Sequence, residues 1–323
     1  GVALYPQHAA NAQQLMQAVD RALIEARENA SSCELFGDHL DAAKPSLLAL
    51  ENDLQDAIEH NELRLYLQPQ IDLERSRVAG FECLARWPHP QRGEIPPDHF
   101  ITLAEQTGQI EALTLWSLKA ALHHLRTLQH LQPQLTLSVN LSPGILNHPD
   151  IVELVQQALA IWNAPPSSLV LEITEGAMMQ HPDRSLEVLR RLHALGIGIS
   201  IDDFGTGYSS LAYLKRLPVH ELKIDKSFVA DLHQSADDEQ IVRTVISLAH
   251  NFGLRVVAEG VENQAVLEQL ADLGCDLAQG RHIAMAMRAD DAAAWLTHPT
   301  ERPEVAGPGP QEAIGSNVRR GRS

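Results

Sequence analysis

A modified (β/α)8 TIM-type barrel with one antiparallel strand, class α/β, is the fold this sequence predicts, and three observations predict it. From Leu63 onward, strand-like apolar runs alternate with amphipathic helical patterns, and the number and length of these units suit a closed barrel. The first two runs depart from that rhythm, because only Glu74-Arg75-Ser76-Arg77 and a few neighbours separate them. That connection is too short for a crossover helix and predicts an antiparallel hairpin.

The strand-like runs are Leu63 to Ile71, Val78 to Arg86, Leu135 to Asn140, Leu169 to Ile173, Gly198 to Asp202, Glu221 to Ile224 and Leu254 to Glu259. Between them lie helical patterns at Leu113 to Leu128, Ile151 to Ile161, Ser185 to Leu195, Asp238 to Phe252 and Gln264 to Leu273. Ahead of the barrel, Gly1 to Pro6 reads as a strand and Pro6 to Asn11 as a turn. Ala12 to Glu28 reads as a helix with Leu15, Met16, Val19, Ala22 and Leu23 at helical spacing. A second helix, Pro45 to Asn61, carries Leu47, Leu50, Leu54 and Ile58 on one face. From about Pro303 no periodic apolar pattern remains, and Gly307-Pro308-Gly309-Pro310 with Arg319-Arg320-Gly321-Arg322 read as a disordered tail. The expected division is therefore 1–40, 41–300 and 301–323.

Composition narrows the function. The 323 residues are 44% hydrophobic and 21% charged, with no run near the roughly 18 apolar residues of a membrane span, so no membrane contact is expected of this piece. A net charge of −17 argues against gripping a DNA or RNA polymer, which needs clustered Lys and Arg. Cys33, Cys83 and Cys275 are odd in number and widely spaced, as suits reduced thiols in the cytoplasm. The chain opens inside a strand without an initiator Met, so it is expected to be part of a longer protein whose upstream region would carry any membrane anchor. The 16 histidines, His123 and His124 among them, show no recurrent ligand spacing and read as surface residues.

The most informative stretch is Gly198 to Ser210, where an apolar strand ends in Asp202 and Asp203 and enters a glycine-bearing turn. Strand ends elsewhere carry Glu82, Asn140, Glu172, Lys223 with Asp225, and Glu259, and a closed barrel brings such positions to one rim. Each has an ordinary reading as a cap, a turn former or half of a salt bridge. Their coincidence at strand ends favours one site. Glu82, Glu172, Asp202, Asp203 and Glu259 bring five carboxylates together, and these require cations. Oxygen ligands with one amide and no strand-end His favour Mg²⁺ or Mn²⁺, and the carboxylate count suggests two ions. Two such ions suit in-line displacement at phosphorus. Arg86 follows Glu82 by four residues, on the same strand face, where it is suited to grip a phosphate.

At this point the chain resembles the EAL-domain family of cyclic di-GMP phosphodiesterases over about Leu47 to Met287. The motifs are Gln68-Pro69, Glu82-Cys83-Leu84-Ala85-Arg86-Trp87, Val139-Asn140-Leu141-Ser142, Glu172-Ile173-Thr174-Glu175, Asp202-Asp203-Phe204-Gly205-Thr206-Gly207, Lys223-Ile224-Asp225, Ala258-Glu259-Gly260-Val261-Glu262 and Gln279-Gly280. The resemblance implies metal-dependent hydrolysis of cyclic di-GMP to linear 5′-pGpG in second-messenger signalling. It implies two metals held by Glu82, Asn140, Glu172, Asp202, Asp203 and Glu259, with Glu82, Lys223 and Glu259 as the catalytic group. Gln68, Leu84, Arg86, Asp225 and Gln279 would bind substrate, and Glu175 would stabilise the loop after Asp203, near a homodimer interface. Residues 1 to about 40 look like the carboxyl-terminal remnant of a GGDEF domain. Cys83 replaces the motif's Ala, and Arg281 to Met287 lacks the family's aromatic and basic-Pro residues. Two other readings stand beside this one: a cyclic di-GMP receptor without turnover, and an unrelated barrel lyase or isomerase using Mg²⁺.

Overall fold

The structure, a computed structural model, describes residues 1–9, 11–28, 33–37, 47–205 and 211–298. It divides into two compact units, Gly1–Arg64 with Arg86–Leu113, and Leu65–Ala85 with Thr114–Ser323. The tail predicted from 301 and the boundary predicted at 40 and 41 lie outside the described residues.

The described strands are β1 (Arg64–Asp72), β2 (Arg77–His89), β3 (Gly93–Ile95), β4 (Thr136–Asn140), β5 (Leu169–Thr174), β6 (Gly198–Phe204), β7 (Glu221–Ile224), β8 (Arg255–Ala258), β9 (Leu277–Ala278) and β10 (Met287–Arg288). The helices are α1 (Ala12–Glu28), α2 (Leu47–Glu59), α3 (Pro97–Thr107), α4 (Ile110–Leu131), α5 (Ile151–Trp162), α6 (Glu175–Gln180), α7 (Pro182–Ala194), α8 (Leu211–Leu214), α9 (Lys226–Val229), α10 (Ala236–Asn251), α11 (Gln264–Asp272) and α12 (Ala289–Thr297).

In the second unit the pairing runs β1, β9, β8, β7, β6, β5, β4, β2 and returns to β1, so eight strands close on themselves. Neighbours from β2 round to β9 are parallel. Only β1 runs against them, antiparallel to β9. The cause is the turn at residues 73–76, where Asp72 Oδ1 accepts from Arg75 N at 2.8 Å and Ser76 takes φ +49°. Two residues of β10 add to β1 at Tyr66 and Leu67.

Period-two alternation sorts the barrel residues. Val139, Leu171, Ile199, Leu222 and Val256 are fully buried on the helix-facing side, each stabilising the fold by roughly 1.5 to 3 kcal/mol. The intervening Ser138, Glu172, Ser200 and Lys223 face the lumen and are just as buried. Polar groups placed so deep destabilise a fold unless they are paired. Helices return the chain between strands with ordinary caps: Ser235 Oγ accepts from Asp238 N ahead of three acidic first-turn residues of α10, and Asn263 caps α11.

Gly280 follows β9 where no side chain fits. A methyl group there would lie 2.2 Å from Val261 O and 2.3 Å from Val261 N. Because both are backbone atoms, Gly280→Ala is expected to destabilise the chain by about 3 kcal/mol. Urea unfolding measures this; an unchanged midpoint would mean that the two segments are not in contact.

In the first unit the end of β2 pairs antiparallel with β3, Trp87 opposite Ile95, and Trp87 meets Phe100 of α3 edge-on with centroids 5.9 Å apart. Asp53 of α2 takes His89 Nε2 at 3.2 Å and Arg92 Nη2 at 2.9 Å. The predicted strand Gly1 to Pro6 is instead a single parallel bridge, Val2 to Leu35. Pro6 has no N–H to continue a ladder. The sequence reading also passed over α3, although Pro97 in its first turn and the left-handed Gly108 after it are start and stop signals.

Candidate active site

The parallel strands deliver their last residues to one end of the barrel. Glu82 lies in β2, Asn140 ends β4, Glu172 sits in β5 and Lys223 in β7. Glu259 and Gln279 immediately follow β8 and β9. The two aspartates arrive by a different device. Ile201 pairs with Leu222 and Phe204 with Ile224, so two residues of β6, Asp202 and Asp203, stand against the single Lys223. This bulge breaks the alternation that would otherwise send the second aspartate to the helix side. Asp203 accordingly takes φ +55°, and its N–H donates to Asp202 Oδ1 at 3.0 Å.

Lys223 is the centre of the cluster. Its Nζ lies 2.5 Å from Glu259 Oε1, 3.0 Å from Glu172 Oε2, 3.2 Å from Asp202 Oδ1 and 3.7 Å from Glu82 Oε1. One ammonium thus faces four carboxylates, all with side chains at most 21% exposed. On the other side of Glu82, Asn140 Nδ2 donates to Oε1 at 3.0 Å and Gln279 Nε2 to Oε2 at 2.5 Å. Gln279 also donates to Gln68 Oε1 at 3.2 Å and accepts from Gln70 Nε2 at 3.0 Å. Gln70 was missed by the sequence reading. The signal was there, since Gln68-Pro69-Gln70 puts two amides on one strand face.

These contacts separate the carboxyls. Burial pushes Glu82 up, but Lys223, Gln279 and Asn140 outweigh it and hold Glu82 below the usual range. Glu172, wholly buried, rises well above it despite Lys223, with Glu82, Asp202 and Glu259 adding repulsion. Burial likewise lifts Glu259, against Lys223 and with Glu82 and Asp202, to about 7. Burial works against the Lys223 ammonium, but Glu172, Glu82, Glu259 and Asp202 hold its pKa well above normal. Asp203 is raised by burial, then by Asp202 and Asp225, against Lys223 and Lys226.

A pH dependence follows for the chain in chelator. Between about 4.5 and about 7 folded Glu259 keeps a proton that the unfolded chain has released, so this group's contribution to stability falls as pH rises through that window. Glu259→Gln is expected to flatten the decline seen by urea unfolding at pH 5, 6 and 7. Parallel wild-type and variant curves would remove Glu259 from the coupled cluster.

The donor set suits hard cations: carboxylates with one amide and no His or Cys ligand. Glu172 Oε1 is buried and has no hydrogen-bond partner among the described residues, an oxygen left open for a further cation. The same residues are not drawn up as a finished ligand cage, since among those described no three of His, Cys, Asp and Glu form one. They are gathered on Lys223.

The other predicted residues fall in several places. Leu84 is half-buried on the Glu82 face of β2. Asp225 uses Oδ1 to cap α9, accepting from Ser227 N at 3.0 Å. Glu175 is 6% exposed at the start of α6, and neither carboxylate oxygen has a partner among the described residues. The loop it is expected to stabilise continues into residues 206–210, outside those described. Arg86 belongs to the first unit, where it is half-buried.

Comparison with known proteins places the chain in a family. The EAL domain family matches residues 51–286. The bifunctional diguanylate cyclase/cyclic di-GMP phosphodiesterase MucR of Pseudomonas aeruginosa is 41% identical over 293 residues, 90% of this chain and 43% of its own. The cyclic di-GMP phosphodiesterase NbdA of the same organism is 38% identical over 283 residues, 87% of this chain and 35% of its own. The chain spans less than half the length of these curated relatives. Among solved structures, a MucR phosphodiesterase in complex with c-di-GMP has a TM-score of 0.72 at 43% identity, covering 76% of this chain and 99% of that one. The FimX EAL domain of Pseudomonas aeruginosa bound to c-di-GMP has a TM-score of 0.67 at 29% identity, over 75% of this chain and 96% of that one.

Proposed function

Since this chain belongs to the EAL domain family, we propose that its barrel hydrolyses cyclic di-GMP to linear 5′-pGpG. The single observation that carries this reading is the Lys223 cluster, four carboxylates around one ammonium at the strand ends of a barrel. Degenerate binding modules lose ligands; here every expected ligand type is present at its motif position.

The EAL phosphodiesterase family is divalent-metal dependent. In this chain Glu82, Asn140, Glu172, Asp202, Asp203 and Glu259 would hold two Mg²⁺ or Mn²⁺ ions. Such ions, when bound, supply an activated water and neutralise charge on the phosphate. The chain's residues do the rest. The reaction forms one bond from water oxygen to phosphorus and breaks one P–O3′ bond. Lys223, held as an ammonium, donates hydrogen bonds and orients oxygen ligands. Proton acceptance therefore falls to a carboxylate. Glu259, with the most exposed side chain of the four at 21%, is the best placed to meet water. Gln279 and Asn140 fix the orientation of the Glu82 carboxylate and favour its ionised form, the form that would hold a cation. Gln68, Leu84, Arg86, Asp225 and Gln279 are assigned to the nucleotide, Arg86 to its phosphate.

We assign residues 1 to about 40 to a GGDEF remnant, the working form to a homodimer whose contact reaches the loop after Asp203 with Glu175 beneath it, and the location to the cytoplasm, as three free cysteines suit. Among the described residues no helix is long and apolar enough to cross a membrane. Incubation with cyclic di-GMP and Mg²⁺ or Mn²⁺, with product followed chromatographically, tests the reading. Linear dinucleotide is expected. Tight binding without product would make the chain a receptor.

A further inference from the structure

We infer that α9 is a brace holding the two carboxylate-bearing turns on either side of it, with Phe228 and Lys226 as positioning residues for Asp203 and Glu259. The inference rests on the reading of those carboxylates as metal ligands. It begins with a conformational cost. Asp203 sits at φ +55°, a region that an L residue enters at roughly 1 kcal/mol or more, and such a residue stays there only where its surroundings fix it. The hydrogen bond from its N–H to Asp202 Oδ1 is local and moves with the turn. A contact from a neighbouring element adds a hold that does not move with the turn.

Two glycines show what does. Gly205, two residues after Asp203 and at φ +102°, lies so close to α9 that a methyl group there would meet Phe228 Cε2 at 3.2 Å. Gly260, directly after Glu259 and at φ +72°, would meet Lys226 Cβ at 2.5 Å and Cα at 3.1 Å. One turn of helix therefore touches the turn after β6 with one residue and the turn after β8 with another. Each glycine is needed twice over, for its positive φ and for the close approach. The helix is itself pinned from both ends. Asp225 caps its start through Ser227 N, and Val229 at its end is fully buried. The charges of Asp225 and Lys226 also reach Asp203, as they must if α9 abuts that turn. Lys223-Ile224-Asp225 is legible in the sequence as a motif, and the four residues after it connect two parts of the site.

The test uses Phe228→Ala and Phe228→Leu in the same chain. Mn²⁺ affinity is measured by calorimetry without substrate, and kcat and KM for cyclic di-GMP are measured separately. Phe228→Ala is expected to weaken Mn²⁺ binding about tenfold and lower kcat in proportion, leaving KM within about twofold and far-ultraviolet circular dichroism unchanged. Phe228→Leu, which refills most of the space against Gly205, is expected to recover the greater part of both. Wild-type Mn²⁺ affinity in Phe228→Ala would overturn the proposal, as would a loss that Phe228→Leu does not relieve. Should Phe228→Ala not fold, Lys226→Gly replaces it, with the same loss of affinity expected and an unchanged affinity overturning the brace. A wild-type chain that binds Mn²⁺ without hydrolysing cyclic di-GMP would remove the enzymatic reading while the affinity comparison still decides the brace.

Discussion

Glu82→Ala is expected to lower hydrolysis of cyclic di-GMP by at least roughly a hundredfold while the chain stays folded. Glu82 is the carboxylate whose neighbours keep it ionised: Lys223 at 3.7 Å, Asn140 at 3.0 Å and Gln279 at 2.5 Å all favour its charge. The other deep carboxylate, Glu172, is pushed the opposite way. Removing Glu82 therefore removes the most dependable negative charge of the cluster. The fold has less at stake, because two opposing effects partly cancel. Loss of the carboxylate strands two amide donors, each costing about 1 to 3 kcal/mol if left unpaired, but it also relieves like-charge repulsion on Glu172 and Glu259. Glu82→Gln keeps the volume and lessens the stranding, and it should be equally inactive with a thermal midpoint closer to wild type. Turnover undiminished in either variant would show that the chemistry lies elsewhere.

The sequence was legible where a residue's role follows from its place along a strand. Glu82, Asn140, Glu172, Asp202, Lys223 and Glu259 lie in or directly after successive barrel strands, toward the same end of the barrel, so a correct placement of the strands was enough to bring them together. The reversed β1 was equally readable from the few residues between β1 and β2. Three things were not. The bulge in β6 depends on how β6 sits against β7, a tertiary fact with no local signature beyond the two adjacent aspartates. Short strands such as β9 and β10, two residues each, are held by their neighbours rather than by their own propensity, so no periodic pattern announces them. The central position of Lys223 was also hidden. A lysine at a strand end ordinarily reaches solvent, and only the convergence of four carboxylates makes its complete burial stable.

That burial makes Lys223→Met the most informative stability experiment. In chelator, wild-type Lys223 is the only cation within 4 Å of these four carboxylates among the described residues. Methionine fits the space but leaves Glu82, Glu172, Asp202 and Glu259 facing one another. Breaking a buried ion pair from one side costs about 3 to 5 kcal/mol. The carboxyls can lower that cost only by taking up protons, so the loss must depend on pH. Glu172 and Glu259 are already raised, and without the ammonium they rise further; the variant's stability should fall more steeply than wild type as pH increases from 5 to 8. Divalent cations would replace the missing charge, so Mn²⁺ should raise the melting temperature of Lys223→Met by more than it raises that of wild type. Hydrolysis should not return with stability, because a metal restores the charge balance but not the hydrogen bonds that Lys223 donates. Full activity in Lys223→Met at saturating Mn²⁺ would reduce Lys223 to a counter-ion, whereas a stable but inactive variant separates its two roles.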